Sequence, residues 1–241
     1  MPRFFYSGTL TIGAIIRLPD HITHHIHVIR LASGTLINLF NGEGGSFTAT
    51  LTSIEKKSAT AEVKTFTPDD VELPYAITLA QALPEASKMD WIIEKAVELG
   101  VAGIQPLASQ RCVTRLSAER AEKRLLHWNG IITSASEQCG RNRLAHLGQP
   151  TTFTAWASQQ DIHRRIILCP TATDSLASWA RHHPAQAITL TIGPEGGFTD
   201  EEHQFAISQG IIPLAMGPRV LRTETAGLAA IATLNAVWDN I

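Results

Sequence analysis

The chain has 241 residues, 44% of them hydrophobic and 17% charged, with a formal net charge of -2 at neutral pH. That composition supports one large or two modest packed domains and excludes global disorder. The near-neutral balance excludes a protein that coats nucleic acid by bulk charge, although a local basic patch is still allowed. Three widely separated cysteines, Cys112, Cys139 and Cys169, form no CxxC pair, so neither a zinc site nor a disulfide framework is suggested. Free thiols fit a reducing compartment. No apolar run reaches the ~18 residues needed to span a bilayer. The start, Met1-Pro2-Arg3-Phe4-Phe5-Tyr6, lacks the apolar stretch of a signal peptide, so a cytoplasmic location with no membrane partner is expected.

The first seventy or so residues read as β structure. A short helix is expected around Asp20 to Leu31. Thr35 to Phe40 alternates and ends in Asn41-Gly42, a hairpin signal. Ser46 to Ile54 and Ala59 to Phe66 are Thr- and Val-rich alternating runs separated by Lys56-Lys57-Ser58. A small barrel or meander is the expectation. Four histidines, His21, His24, His25 and His27, invite a metal reading, but only Asp20 supports them. A polar helix face is expected instead, with no metal.

Thr67 to Pro74 is acidic and bounded by prolines, which marks a linker. Domains over 1–72 and 73–241 are therefore expected. Beyond the linker, strand and helix alternate. Ala76 to Leu83 reads as a buried strand. Ser87 to Leu99 is an amphipathic helix stopped by Gly100, and Val101 to Ala108 is the next strand. A long helix follows from Ser117 to about Cys139. Arg165 to Cys169, Ala187 to Ile192 and Ile211 to Met216 are short apolar runs that suit a parallel sheet covered on both faces. Thr223 to Trp238 closes the chain as a helix. From Arg111 to Arg143, seven basic residues face three acidic ones. On charge alone that segment is a solvated helix face.

Two turns carry the chemistry. Gly193-Pro194-Glu195-Gly196-Gly197 follows a strand and precedes the acidic helix start Asp200-Glu201-Glu202. With little side-chain bulk, it lets backbone groups approach a ligand directly. Gly217-Pro218-Arg219-Val220-Leu221-Arg222-Thr223-Glu224 puts cations, a carboxylate and a hydroxyl at the mouth of another helix. Both turns lie at strand C-terminal ends, where open α/β sheets bind ligands. Neither GxGxxG nor GxxxxGK[ST] occurs, so a dinucleotide fingerprint and a P-loop are excluded. A nucleotide-phosphate enzyme using the first turn as an anion nest would lack a lysine in its loop.

Together with Glu137-Gln138-Cys139-Gly140-Arg141, these two turns resemble the RsmE family, small-subunit ribosomal RNA uridine-N3 methyltransferases of the SPOUT superfamily. The resemblance covers nearly the whole chain. Lys88 to Val101 resembles that family's first α/β helix, and His25 to Leu31 with Leu39 to Gly42 resembles its PUA-like module. Asn41 stands where the family pattern has Asp. The resemblance implies a parallel SPOUT α/β sheet whose C-terminal part threads a deep trefoil knot, preceded by a small PUA-like β-barrel. It also implies S-adenosylmethionine as cofactor, a homodimer, and small-subunit ribosomal RNA or the assembled small subunit as partner. Another RNA, such as transfer RNA, and a catalytically silent RNA-binding assembly factor are the competing readings.

On that resemblance, Gly193 and Gly196 would let adenine and ribose lie on the main chain. Leu168, Pro170, Ile192, Met216 and Leu221 would supply apolar walls. Pro194, Glu195, Gly197, Gly217, Arg222, Thr223 and Ala226 complete the expected cofactor set. Arg222 is expected to stabilise negative charge on the uracil carbonyls, with Glu224 as a candidate proton acceptor. Gln138 and Arg141 would read the flipped base or grip phosphate. Arg30, Arg111, Arg115 and Arg143 would join them along an RNA track.

Overall fold

Alternating apolar residues build the first of two compact units, Met1–Glu72 together with Ser136–Leu144. The computed structural model describes residues 1–85, 87–113, 118–160 and 163–238. Five strands, β1 (Arg3–Phe5), β2 (Ile15–Arg17), β3 (Leu36–Phe40), β4 (Ser46–Glu55) and β5 (Ser58–Thr67), form a sheet ordered β1-β3-β4-β5-β2. β1 runs parallel to β3, and the other neighbours are antiparallel. The expected β3–β4 hairpin is present, and its turn needs positive φ at Gly42, Gly44 and Gly45. Helix α1 (Asp20–Val28) lays Ile22 and Ile26 on Phe4, Ile37, Leu39, Leu51 and Val63. Each such buried side chain contributes roughly 1.5–3 kcal/mol. β1 and β2 did not stand out in the sequence, because three residues are too few to display a period.

The α1 histidines serve separate purposes. His25 meets the Phe4 ring edge-on at 5.3 Å, while His27 Nε2 lies 2.9 Å from the Glu55 carbonyl. Among the described residues, no group of three His, Cys, Asp or Glu side chains could hold a metal ion.

Residues 136–144 were expected in the second domain, yet they belong with the first unit. Polar ties explain why. Arg141 is 3% exposed and grips the Glu72 carboxylate through Nε, at 2.9 Å, and through Nη2. Asn142 Nδ2 donates to the Asp69 carbonyl at 2.6 Å, and Arg143 Nε donates to Asp70 at 2.8 Å. Arg3 donates to the Arg141 carbonyl at 2.7 Å and to Asn142 Oδ1 at 2.6 Å. The expected phosphate grip of Arg141 is thus corrected: a buried guanidinium already bound to a carboxylate is a structural tie. Glu137 accepts from the Phe5 N–H at 2.8 Å. Burial holds its carboxyl above the ordinary value, against the lowering pull of that hydrogen bond and of His25, His21 and Arg3.

The second unit, Leu73–Ala135 with Ala145–Ile241, is α/β. Its elements are β6 (Ile77–Ala82), α2 (Lys88–Glu98), β7 (Gly103–Ala108), α3 (Ala118–Cys139, in this unit as far as Ala135), β8 (His146–Leu147), β9 (Thr151–Thr152), α4 (Phe153–Ala157), β10 (Arg164–Leu168), α5 (Leu176–Arg181), β11 (Ile188–Ile192), α6 (Asp200–Ser208), β12 (Ile212–Leu214) and α7 (Thr223–Val237). The strands are ordered β12-β10-β11-β6-β7-β8 and all pair in parallel, with β9 also pairing β7. Every residue of β11 is buried, as a central strand covered on both faces requires. α2 buries Met89, Ile92, Ile93, Ala96 and Val97, one stripe at helical spacing. Gly100, at φ +90°, ends it. α4 and α5 are short pieces that the sequence rhythm did not reveal.

Removing the Arg141 guanidinium leaves a carboxylate without its partner. Arg141→Met is expected to cost about 3 kcal/mol in urea unfolding, and a loss under about 0.5 kcal/mol would contradict the structural role. For Glu137 the folded-state value is raised, so stability from the neutral carboxyl is complete below the unfolded value and lost as pH rises through the folded one. Glu137→Gln is therefore expected to match the parent below about pH 4 and to equal or exceed its stability at neutral pH. A variant less stable than the parent at neutral pH would contradict this.

Candidate functional site

Strand ends create the cleft. It lies within the second unit and encloses about 900 Å³. The ends of β10, β11 and β12, the first turns of α6 and α7, and Arg111 form its walls. Every residue expected at the cofactor lines it: Leu168 and Pro170, residues 192–197, Met216 and Gly217, residues 221–223, and Ala226.

One buried hydroxyl ties the two turns together. Thr223, the first residue of α7, donates to the Gly193 carbonyl at 2.6 Å and accepts from Gln81 Nε2 at 2.9 Å. Thr223 is 6% exposed and Gln81 fully buried. The end of β6, the glycine turn after β11 and the start of α7 thus meet at one oxygen. The far side of the glycine turn is fixed by a capping box on α6, with Thr199 as N-cap. Glu202 accepts from the Thr199 N–H at 2.9 Å and from the Gln110 N–H at 2.8 Å. Arg111 then donates to the Gly196 carbonyl at 3.0 Å.

The glycines earn their positions differently. A Cβ on Gly193 would come within 3.3 Å of Gly197 and Phe198, and one on Gly196 within 3.2 Å of the Arg111 Cβ. A side chain at either position would be tight, so its neighbours would have to give by a few tenths of an ångström. Gly197 and Gly217 have open space but positive φ, at +67° and +110°.

Charge around the cleft is arranged in two ways. Arg222, Arg219 and Arg111 are exposed and line it. Among the described residues, no ion-pair partner engages Arg222. Glu195 instead accepts from Lys88 Nζ at 2.7 Å and from the Glu85 N–H at 3.1 Å. Burial alone would raise the Glu195 carboxyl; hydrogen bonds from Lys88 and from backbone N–H groups hold it below the ordinary value. Lys88 is raised, chiefly by its hydrogen bond to Glu195. Glu224, the candidate proton acceptor, is not on the cleft lining, and its Oε2 sits 3.8 Å from Lys88 Nζ.

The expected RNA residues have different surroundings. Arg111 is a cleft residue, Arg141 is buried, Arg143 pairs with Asp70, and Arg30 and Gln138 are exposed. Arg115 lies outside the described residues. The sequence reading missed Arg219, Phe198, Asp200 and His203, which also line the cleft. Arg219 sits inside the second motif, so motif membership was the available signal. His203 meets the Phe198 ring edge-on at 5.8 Å, and burial lowers its pKa against the raising influence of Asp200 and Glu202. Its helical spacing from Thr199 gave no clue.

Comparison with known proteins names the chemistry. Residues 71–235 match the family model for an RNA methyltransferase domain, and residues 18–64 match that for an RNA methyltransferase PUA domain. The chain is 32% identical to a ribosomal RNA small subunit methyltransferase E from Buchnera aphidicola subsp. Schizaphis graminum, covering 100% of this chain and 98% of that protein. It is 34% identical to the protein of the same name from Synechocystis, covering 99% and 78%. Among solved structures, it resembles a ribosomal RNA small subunit methyltransferase E from Neisseria gonorrhoeae bound to S-adenosyl methionine. The TM-score is 0.92 at 38% identity, over 99% of this chain and 98% of that one. A putative methyltransferase from Legionella pneumophila, in complex with the same molecule, gives 0.92 at 36%, over 98% and 97%. With both units and both cleft turns included in these matches, the chain belongs to the RsmE family of RNA methyltransferases.

Proposed function

We propose that this enzyme transfers a methyl group from S-adenosylmethionine to N3 of one uridine in small-subunit ribosomal RNA. The observation that carries the reading is the cleft: two turns from separate strand ends, tied at Thr223, around a space of about 900 Å³. Its residues suit the donor. Leu168, Ile192, Met216 and Leu221 offer apolar walls for a purine, and the glycine turn offers backbone groups for its polar edge. Arg111, Arg219 and Arg222, with Glu195 and Asp200, suit a charged amino-acid tail and the approach of a polyanion. When bound, S-adenosylmethionine supplies a methyl group on an electrophilic sulfonium.

The chain's own contribution is placement and charge. A uracil imide nitrogen holds a proton at neutral pH and must release it, here to solvent, which leaves negative charge on the flanking carbonyl oxygens. The Arg222 guanidinium, exposed on the cleft, is positioned to stabilise that charge. Glu224 is assigned no proton transfer, because its carboxylate is beside Lys88. A target base within a helix must leave its stack to reach a cleft of this kind.

The first unit would hold the RNA, as its match to a PUA domain from RNA methyltransferases suggests. Exposed Arg30 and Gln138 are groups of this unit available for phosphate and base contacts. Arg141 and Arg143 are taken by Glu72 and Asp70, so fewer phosphates are neutralised than the raw charge count implies. The reading also includes a trefoil knot in the last part of the chain, a homodimer and a cytoplasmic location. No helix among the described residues is long and apolar enough to cross a membrane.

Mass-spectrometric mapping of ribosomal RNA from cells with and without this protein tests the reading. One N3-methyluridine in the small-subunit RNA is expected to disappear with the protein. Loss of a modified nucleotide in transfer RNA would transfer the assignment to that substrate, and an unchanged map would favour a silent assembly factor. With the purified enzyme, Arg222→Ala is expected to lower kcat by about 10²–10³-fold, the range for removing one charge-stabilising group. A change within about threefold would remove Arg222 from the mechanism.

A further inference from the structure

We infer that Lys88 is a positioning residue: it sets the separation of the two cleft turns by holding one carboxylate from each. Glu195 belongs to the glycine turn after β11, and Glu224 to the first turn of α7. Both surround the same ammonium, at 2.7 Å and 3.8 Å. Lys88 itself opens α2, and the Glu85 N–H just before it donates to both oxygens of Glu195, at 3.1 and 3.4 Å. The start of α2 therefore grasps the rim of the glycine turn from outside the cleft. Lys88 does not line the cavity, so it acts through the turns and not on a bound ligand.

The Glu224 side is incompletely satisfied. Its Oε2 is buried and has no hydrogen-bond partner among the described residues, so the Lys88 charge is the favourable interaction it has there. An ammonium has three donors, and one serves Glu195 Oε1. Without it, two carboxylates would share a small volume, one of them with a buried oxygen. Like charges at that range repel, and the turns they sit on would spread. Thr223 ties the base of the same two turns, so the clamp and the hydroxyl bracket the cleft from two points.

This inference rests on the reading of the cleft as the S-adenosylmethionine site, and the experiment separates the two. Calorimetric titration of the full-length parent with S-adenosylmethionine comes first. No binding would overturn that reading. If the parent binds, Lys88→Met is expected to raise the Kd and the KM for S-adenosylmethionine at least tenfold, about 1.4 kcal/mol, with kcat at saturation within about threefold. Lys88→Arg is expected to restore most of the affinity. Adding Glu224→Gln to Lys88→Met is expected to recover part of it, by removing the repulsion. Parent-like affinity in Lys88→Met would overturn the role of Lys88, and so would a folded Lys88→Arg that rescues nothing. If Lys88→Met does not fold, Glu195→Gln takes its place in the titration, and parent-like affinity there would be equally fatal.

Discussion

A single hydroxyl organises the functional half of this molecule. Thr223 Oγ1 accepts from Gln81 at the end of β6 and donates to Gly193 at the end of β11, while its own backbone begins α7. Three strand and helix ends that are remote in sequence are thereby held to one point. This buried hydroxyl both donates and accepts, and removing it would leave the Gly193 carbonyl without that donor. The two turns can then stand apart above that point and still keep a fixed relation. Elsewhere the same logic recurs with charge in place of a hydroxyl, as in the Glu202 carboxylate that caps α6 and holds the Gln110 N–H.

A scaffold of this type suits a reaction in which the reactive group comes from a bound molecule. The chain has little bond chemistry to perform. It must hold a donor and an acceptor in line, exclude water and meet charge as it develops. Strand ends and short, glycine-rich turns suit the first need, because the packing at Gly193 and Gly196 is already tight. Exposed arginines at the cleft are suited to the last. The Glu195 carboxylate nearby is engaged by Lys88 and not by Arg222.

Much of this was legible in the sequence, for physical reasons that differ by element. β4 and β5 alternate over ten residues each, and α2 repeats its apolar stripe, so periodicity exposed them. β11 was visible as a continuous apolar run closed by Gly193. The two turns were visible because glycine and proline at strand ends are costly unless used. β1, β2, α4 and α5 were hidden, being too short for any period to emerge. Partnership was hidden more deeply. Nothing local in the sequence distinguishes Arg141, buried on Glu72, from Arg222, exposed on the cleft. Nor does anything local announce that Glu224 faces Lys88, which lies far away along the chain. Motif reading picked out turns that the fold brings to one cleft, whereas the partners of charged side chains depended on contacts that only the fold supplies.

The central claim is that the turns at residues 193–197 and 217–226 jointly enclose the methyl donor. Hydrogen–deuterium exchange of the enzyme with and without S-adenosylmethionine addresses it directly. The account predicts slowed exchange at the backbone amides of both turns together, with the β4–β5 hairpin of the first unit unchanged. Protection confined to one turn, or appearing only outside both, would contradict it.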